Sequence, residues 1–445
     1  MTHGSGGGAG GARGAGDALG TTRGIRAPAP HVVIVGGGGT GGAIAHDLSL
    51  RGLRVTLVER GEITSGSTGR HHGLLHSGAR YVTTDRSSAI ECSAENKILR
   101  RICPGSFEEN DGLYVAISDD DVAFADRFLE ACWQCAVPAK RINRDTALRM
   151  EPQLSPALRF AVQVPDATMD AMRMPLRFFA TARRHGLEIK PFTEVTAVKM
   201  TGRTVNGVAV RDHSTGRDYE IGADVVINAA GAWAGKVAAL AEVKVPLVLS
   251  PGVMVAIRGR HCNMAVSRLN SPGDGDALVP QRGLTLAGTS SWIATNPDDL
   301  GLPQGDVEMI VREGALMIPA LATAKIRAVW VSARPLIGEP EPRPRRRARS
   351  AHAATSGAAD PATDGREPTG QPSPGRELAR GMRCLDHATD ATPTQGFVTV
   401  AGGKATTLRA MAEVTADLVC AKLGLDCQCE TADYVLLPHT AWYGA

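Results

Sequence analysis

The segment Val32–Glu59, VVIVGGGGTGGAIAHDLSLRGLRVTLVE, determines the fold that the sequence predicts. Its first residues, Val32–Val35, are apolar and β-branched, which is typical of a buried parallel strand. A helix is predicted over Thr40–Arg51, with Gly52 as its C-terminal breaker. A second apolar strand, Val55–Val58, completes a βαβ unit.

The turn between the first strand and the helix carries the spacing G-x-G-x-x-G, at Gly36, Gly38 and Gly41. The first glycine permits a tight turn, the second lets the backbone approach a pyrophosphate, and the third lets helix and strand pack closely. Glu59 ends the second strand, where a carboxylate accepts hydrogen bonds from a ribose. The unit predicts a dinucleotide site but does not by itself distinguish FAD from NAD.

Length and composition limit the class of protein. The chain has 445 residues, enough for two domains, and 43% hydrophobic residues, an ordinary globular value. Its formal net charge of +3 argues against a dedicated nucleic-acid binder. No apolar run approaches the roughly 18 residues of a membrane-spanning helix.

Two segments are predicted to be disordered. Residues 1–30 are rich in Gly and Ala and lack an apolar signal core, which predicts a disordered leader. Residues 339–380 are rich in Pro, Gly, Ser and Arg, so they lack the apolar surface that folding requires. Their Arg343–Arg349 cluster is predicted to be solvated, with contact to an anionic lipid surface as the alternative.

The cysteines indicate a reducing compartment. There are nine, scattered along a long chain, so free thiols and a cytoplasmic location are predicted. Cys132 and Cys135 form a C-x-x-C pair within a helical pattern, where core or surface thiols are the favoured interpretation. Cys427 and Cys429 have no second pair to complete a zinc site, so no metal is predicted.

Helices and strands alternate through the rest of the chain, which predicts an α/β fold of two units. The first is a Rossmann-like FAD-binding domain made of three separate segments, residues 31–110, 166–245 and 395–437. The second is a smaller mixed or antiparallel α+β substrate domain made of residues 111–165 and 246–394, which contain the 339–380 insert.

Two further loops are predicted to meet a ligand. Gly61–Tyr81 is dense in Gly, Ser, Thr and His and follows the carboxyl end of a parallel strand, where such sheets bind ligands. A long polar surface loop is the alternative. Gly402–Thr407 opens the last helix with a Gly-Gly turn, a second N-terminus suited to anions.

Five stretches occur in a fixed order along the chain: VVIVGGGGTGG, TSGSTGRHHGLLHSGARY, NAAGAW, ARPL and GGKATTLRAMAE. Together they resemble the FAD-dependent glycerol-3-phosphate dehydrogenases of the D-amino-acid-oxidase-like flavoproteins. The resemblance is greatest to the large subunit of the anaerobic, quinone-linked enzyme. It extends from Val32 to Leu437, interrupted by the insert.

The resemblance implies a noncovalently bound FAD in a D-amino-acid-oxidase-like fold. The residues that it places on the ADP half are Gly36, Gly38, Thr40, Gly41 and Glu59, with the Val195 backbone beside the adenine. Those that it places along the pyrophosphate and ribityl chain are Ser65, Ser67 and Thr68. Those that it places at the flavin end are Gly403, Lys404, Ala405 and Thr406.

For the substrate, sn-glycerol 3-phosphate, the resemblance points to Arg80, Tyr81, Arg334 and Lys404. Guanidinium groups and an ammonium suit a phosphate dianion. Each of these cations also has an ordinary alternative, a structural salt bridge or a turn cap. The catalytic candidates are His76, Arg334 and Lys404, with His76 as the base and His72 as the second choice, because imidazole titrates near ambient pH.

The implied reaction oxidises the substrate to dihydroxyacetone phosphate by hydride transfer to flavin N5. The related large subunit has a cysteine-rich C-terminal extension for an iron–sulfur centre that does not occur up to Ala445. Electrons are therefore expected to pass to quinone directly or through a partner subunit, with peripheral contact at the cytoplasmic face of the membrane. The alternatives are oxidation of another 2-hydroxy acid or amino acid, and a flavin-binding subunit without catalysis.

Overall fold

The structure is a computed structural model that describes residues 29–338 and 381–444. The predicted leader, apart from its last two residues, and the predicted 339–380 insert lie outside the described residues. The same holds for the Arg343–Arg349 cluster.

The elements of the described residues follow the predicted order. The helices are α1 Gly39–Leu50, α2 Arg86–Ile102, α3 Asp119–Gln134, α4 Arg144–Met150, α5 Arg173–Arg184, α6 Ala234–Ala239, α7 Asp306–Met317 and α8 Leu408–Lys422. The first ten strands are β1 His31–Val35, β2 Arg54–Val58, β3 Leu74–Leu75, β4 Phe107–Glu108, β5 Gly112–Ala116, β6 Lys140–Asn143, β7 Phe160–Val164, β8 Ala167–Met169, β9 Glu188–Lys190 and β10 Thr193–Thr201. The later strands are β11 Thr204–Asp212, β12 Arg217–Gly222, β13 Val225–Asn228, β14 Leu247–Arg258, β15 Ala265–Arg268, β16 Ala277–Gln281, β17 Leu284–Gly288, β18 Ile326–Ile337, β19 Met382–Asp386 and β20 Phe397–Gly402.

The predicted βαβ unit lies at the centre of a six-stranded sheet with the order β19-β20-β13-β1-β2-β9. Five neighbouring strands run parallel, and β19 is the antiparallel edge. One face is covered by α1, α5 and α8, whose apolar side chains form a common core with the strands. The other face packs against α6 and the β10–β12 meander. Both faces are therefore buried, as the uninterrupted apolar runs of β1 and β2 predict.

A second, eight-stranded sheet has the order β18-β14-β17-β16-β15-β5-β7-β6. Its strands come from two separate parts of the chain, because β5, β6 and β7 precede the rest by about a hundred residues and join through the parallel pair β5–β15. Helix α7 covers one face and α3 the other. A capping box between Ser118 and Asp121 fixes the start of α3.

One strand pairs with a different sheet from the one that the predicted domain boundaries imply. The predicted substrate segment 246–394 includes β19, which instead pairs with β20 in the six-stranded sheet. The pairing saturates the edge of β20, and the short, half-buried β19 gives little signal of its own in the sequence. Strand β6 and helix α4 were also not predicted, because most of their side chains are exposed.

Two sequence features have a plain structural outcome. Cys132 and Cys135 are buried in the hydrophobic cluster between α3 and the eight-stranded sheet, which agrees with a core role. The Cys427 sulfur lies 3.0 Å from the Cys420 sulfur, and the Cys429 sulfur lies 3.0 Å from the Thr431 hydroxyl.

Within residues 29–338 and 381–444, no helix combines the length and apolar character needed to cross a membrane.

Candidate active site

One large cavity of about 1240 Å³ lies where the carboxyl ends of the parallel strands face the eight-stranded sheet. Most of the predicted site residues line it, although they come from six separate stretches of chain. They are Gly36, Gly38, Thr40, Glu59, Ser65, Ser67, Thr68, His72, His76, Arg80, Tyr81, Val195, Arg334, Gly403, Lys404 and Ala405. Two predicted residues, Gly41 and Thr406, do not line the cavity and contact residues that do.

The glycine-rich turn has the close packing that its spacing predicts. Gly36 adopts φ +115°, and a Cβ atom there would lie 2.6 Å from the Ala229 carbonyl oxygen. A Cβ at Gly41 would overlap the Gly36 carbonyl, so Gly41 holds α1 against β1. Gly38 is the N-cap of α1 and has no side chain to cover its backbone on the cavity side. The first turn of α1 therefore borders the cavity, where a helix N-terminus favours an anion.

The Glu59 carboxylate holds the backbone on both sides of it in place. Its two carboxylate oxygens accept hydrogen bonds from the backbone N–H groups of Gly37, at 2.7 Å, and Gly61, at 2.8 Å. The carboxylate therefore joins the glycine turn to the start of the Gly61–Tyr81 loop. Each oxygen retains a second lone pair, so Glu59 can also accept from a ligand hydroxyl.

The Gly61–Tyr81 loop wraps the cavity, as predicted. The Thr68 hydroxyl accepts a 2.9 Å hydrogen bond from Gly39 N–H and so caps the start of α1. The Ser67 hydroxyl donates to the Ala333 carbonyl in β18 at 2.7 Å. Trp330 in the same strand donates from its indole nitrogen to the Arg70 carbonyl at 2.7 Å. These bonds tie the loop to the start of α1 and to β18 of the eight-stranded sheet.

The Gly402–Thr407 turn also lines the cavity. Gly403 has φ +73°, and a Cβ there would overlap the Met411 sulfur of α8, so the turn requires glycine. Thr406 is fully buried, and its hydroxyl accepts a 3.0 Å hydrogen bond from His76 N–H. Thr406 thus positions His76 from beneath instead of facing the cavity.

Arg80 is held by an acidic residue that the sequence analysis did not identify. Its guanidinium Nη2 lies 2.6 Å from Asp276 Oδ1 and 3.3 Å from the Gly273 carbonyl. The Arg80 side chain is 14% exposed and that of Asp276 is 5% exposed. Although burial opposes the charged form, the neighbouring Asp276 raises the pKa of Arg80 above its usual value. The guanidinium therefore stays charged and has a fixed orientation.

Arg334 enters the cavity from β18. Its Nη1 donates to the carbonyl oxygens of Ser250 at 3.1 Å and Pro251 at 3.2 Å, both in the adjacent strand β14. Its Nη2 contacts the Thr289 hydroxyl. These carbonyl and hydroxyl acceptors fix the orientation of the guanidinium.

Lys404 and Tyr81 are neighbours beside the Gly402–Thr407 turn. The Lys404 ammonium lies 5.3 Å from the centre of the Tyr81 ring, within the range of a cation–π contact. It also donates to the Ser88 hydroxyl at 2.9 Å and lies 3.8 Å from the Glu91 carboxylate. Its side chain is only 6% exposed, so α2 and the Tyr81 ring together fix its position.

Three histidines stand in a row along one wall. The ring centres of His71 and His72 are 6.2 Å apart, those of His72 and His76 are 5.5 Å apart, and those of His76 and Tyr81 are 5.4 Å apart. The Nδ1 atom of His72 accepts a 3.1 Å hydrogen bond from Leu74 N–H. Burial, together with the nearby His76 and other positive groups, lowers the pKa of His72 well below its usual value. His72 is therefore neutral, with its proton on Nε2.

A second unpredicted carboxylate supports the His76–Arg80 turn. Asp166, which is 2% exposed, accepts a 2.6 Å hydrogen bond from Ser77 N–H. Burial raises the pKa of Asp166, and the bonds from Ser77 oppose the rise. Asp166 and Asp276 lie in loops that carry no motif and are distant in sequence from Ser77 and Arg80. Their roles could have been inferred only from the need of Arg80 and the Ser77 N–H for a carboxylate partner.

The residues present fit FAD. The helix N-terminus, the bare Gly38 backbone and the Glu59 carboxylate suit an ADP moiety, and the long cavity continues to the Gly402–Thr407 turn, where a flavin ring fits. A Rossmann-like unit that shares one cleft with a large second sheet, with titratable side chains at its far end, defines a flavin-dependent oxidoreductase.

Comparison with known proteins agrees with this class. The chain belongs to the DAO family of FAD dependent oxidoreductases, because the profile of that family matches residues 31–359. It is 39% identical to a component of the anaerobic glycerol-3-phosphate dehydrogenase of Escherichia coli, over 91% of this chain and 69% of that protein. It is 38% identical to the corresponding component of the anaerobic enzyme of Haloferax volcanii, over 91% of this chain and 66% of that protein. The family resemblance inferred from the sequence and the FAD assignment are thereby confirmed.

Solved structures agree on the fold. The glycerol-3-phosphate dehydrogenase from Bacillus halodurans, complexed with FAD, superimposes with a TM-score of 0.67 at 22% identity, covering 92% of this chain and 68% of that chain. The L-alpha-glycerophosphate oxidase from Mycoplasma pneumoniae, with FAD bound, gives a TM-score of 0.67 at 17% identity, covering 91% of this chain and 97% of that chain. The predicted α/β fold with a D-amino-acid-oxidase-like arrangement is confirmed.

Proposed function

We propose that the protein oxidises sn-glycerol 3-phosphate to dihydroxyacetone phosphate. The observation that carries the proposal is the convergence of Arg80, Arg334 and Lys404 with His76 at one end of the FAD cleft. The similarity to components of glycerol-3-phosphate dehydrogenases supports the choice of this substrate among small alcohols. Bound FAD supplies the hydride acceptor.

In this proposal FAD lies along the cleft from Glu59 to the Gly402–Thr407 turn. Gly36, Gly38, Thr40 and the start of α1 hold the ADP half, with Gly41 packed behind them and Val195 beside the adenine. Ser65, Ser67 and Thr68 lie along the pyrophosphate and ribityl chain. Gly403, Lys404 and Ala405 surround the flavin ring, and Thr406 supports them from the core.

The three cations have different roles toward the substrate in this proposal. Arg334 is oriented by carbonyl groups of β14, so its guanidinium has a fixed position from which it can donate to a phosphate dianion. Arg80 is already paired with Asp276 and serves chiefly as a fixed hydrogen-bond donor. Lys404, beside the Tyr81 ring, is placed to stabilise the negative charge that develops on the substrate oxygen as its proton leaves.

His76 is the proposed base that accepts the C2 hydroxyl proton. It lies between His72 and Tyr81, and its backbone is fixed by Thr406. His72 is less suited to that role because its Nδ1 already accepts from Leu74 and its Nε2 carries a proton. We assign His72 the role of a hydrogen-bond donor within the row of histidines.

We also propose that electrons leave to quinone, directly or through a partner protein, and that the protein makes peripheral contact with the membrane at its cytoplasmic face. The relatives are named as one component of a larger enzyme, which supports a partner. We propose in addition that the chain divides into an FAD domain and a substrate domain, with the cleft between them. If the protein fails to sediment with anionic vesicles either alone or with its quinone, the membrane contact is refuted.

Anaerobic titration of the purified holoprotein tests the substrate. Addition of sn-glycerol 3-phosphate should bleach the oxidised flavin absorbance, and glycerol without the phosphate should not, because the cationic cluster requires the dianion. Glycine, L-proline and a 2-hydroxy acid serve as controls for the alternative substrates. Bleaching by one of these instead of glycerol 3-phosphate would replace the substrate. Bleaching by dithionite alone would favour a flavin-binding subunit without catalysis.

A further inference from the structure

Three side chains of the FAD-binding unit converge on one carboxylate from the other unit. Asp298 belongs to the loop of residues 289–305 between β17 and α7, here called the Asp298 loop. Its Oδ1 accepts from the Trp233 indole nitrogen at 2.7 Å and from Arg60 at 3.2 Å, and its Oδ2 pairs with Lys236. The Arg60 guanidinium lies over the Trp233 ring, 4.9 Å from its centre.

The tip of the Asp298 loop is also seated by packing. Pro297 is buried and lines the cavity, and Asn296 adds a 3.2 Å contact to Lys236. On either side of the tip, Ala294 and Leu300 pack into an apolar cluster that includes Trp233. The Asp298 loop therefore packs against the FAD-binding unit and forms part of the cleft wall.

The contacts lie at the end of the cavity that we assign to the ADP half of FAD. Arg60 directly follows Glu59, the residue proposed to bind the ribose, and both line the cavity. Trp233 and Lys236 line it together with Val195, the residue proposed beside the adenine. The surface that Asp298 fastens therefore borders the ADP half of the cleft.

We propose that Asp298 is a cofactor-retention residue, a latch that fastens the Asp298 loop across the ADP half of the FAD cleft. The inference rests on the proposed placement of FAD and is independent of the substrate. It predicts that FAD entry and exit both require the contacts of Asp298 to break. A residue that only stabilised bound FAD would slow exit without slowing entry.

The physical character of the latch sets the size of its effect. The side chains of Asp298 and Arg60 are 41% and 45% exposed, so each ion pair is weak and is screened by salt. Three donors on one carboxylate together are worth roughly a tenfold change in an opening rate. The pairing, with Lys236 as its largest contribution, lowers the pKa of Asp298 to about 2, so the latch is charged throughout the physiological range.

The experiment compares two neighbouring acids. Asp298→Ala removes the latch, and Asp299→Ala removes an equal charge from the next residue, which does not line the cavity. Apoprotein is mixed with FAD to measure association, and FAD transfer from holoprotein to an excess of an apo-flavoprotein trap measures dissociation. We expect both rate constants to rise roughly tenfold in Asp298→Ala and to be unchanged in Asp299→Ala. High salt should accelerate exchange in the wild type and have little further effect in Asp298→Ala.

Other outcomes refute the latch. Unchanged rates in Asp298→Ala, or equal changes in both variants, would show that the loop does not control access. Slower dissociation would mean that freed Arg60 and Lys236 bind the cofactor phosphates. Asp298→Asn, which keeps the side-chain volume, should reproduce the acceleration, and a lowered melting temperature of its apoprotein would indicate a structural effect instead. Failure of glycerol 3-phosphate to bleach the flavin would refute the substrate and leave these rates unaffected.

Discussion

The two ends of the cleft are built in different ways. The centre of the proposed ADP end comes from one continuous segment, in which Gly36, Gly38 and Glu59 are separated only by the helix and strand that position them, and Val195 and the Asp298 loop add to it from elsewhere. The substrate end brings together His76, Arg80, Arg334 and Lys404 from three distant regions of the chain. The Arg80, Arg334 and Lys404 side chains are oriented by partners that lie elsewhere again, and the His76 backbone is held by Thr406. A site made of local segments leaves a motif in the sequence, whereas one made of tertiary contacts does not.

The largest expected effect comes from a hidden partner at the substrate end. Asp276→Asn should lower kcat/KM for glycerol 3-phosphate roughly 50-fold, because Arg80 loses a buried charge-assisted bond of 2.6 Å that fixes its orientation. The FAD content should remain that of the wild type, since Asp276 makes no contact at the ADP end. Steady-state kinetics and the flavin absorbance of the purified variant measure the two quantities.

A double-mutant cycle isolates this contact. In an Arg80→Ala background, Asp276→Asn should cause little further loss, because the interaction has already been removed. An increase in kcat/KM on Asp276→Asn would contradict the prediction. It would mean that Asp276 competes with the phosphate for Arg80 instead of positioning it.

The contrast between the two ends explains what the sequence predicted. The βαβ unit and its acidic residue were predicted because strand, turn and helix each leave a periodic or positional pattern. Arg334 and Lys404 were indicated only through the family resemblance. Asp166, Asp276 and Asp298 were missed, because a carboxylate in a loop has no periodicity and its role depends on which side chain folds against it. Strand β19 was missed for the same reason, since only its pairing with β20 defines it.

The next largest effect is expected at a buried histidine in α1, the helix that follows the glycine-rich turn. His46 in α1 is fully buried between Phe178 and Tyr434, and neither ring nitrogen has a hydrogen-bond partner among the described residues. Burial, and secondarily His185, lowers its pKa to about 3. The unfolded chain, with a pKa near 6.5, binds more protons between these values, so stability falls as the pH falls below 6.5. From pH 7 to pH 5 this histidine alone removes about 2 kcal/mol from the free energy of unfolding.

His46→Leu should abolish that part of the pH dependence. Urea denaturation of both proteins at pH 7 and pH 5 measures it, with His261→Gln, at a partly exposed histidine, as a control that should follow the wild type. His71, whose pKa burial lowers to about 4, contributes loss of the same sign in every variant and cancels in the comparison. An identical pH dependence in His46→Leu and the wild type would show that His46 is not kept neutral.

The smallest effect tests whether the local ADP end is as self-contained as its sequence indicates. Glu59→Gln keeps the shape of the side chain but leaves one oxygen where two now accept from Gly37 and Gly61. One link between the glycine turn and the following loop must break, and a ribose hydroxyl loses a charged acceptor. We expect FAD affinity to fall about tenfold, or about 1.4 kcal/mol, while kcat at saturating FAD is unchanged. FAD titration of the apoprotein measures the first quantity, and the exposed Glu62→Gln is the matched control.

A fall in kcat at saturating FAD would mean that the two ends are coupled through the Gly61–Tyr81 loop, which begins at the Gly61 link and carries His76 and Arg80. The ADP end would then be local in sequence but not in function.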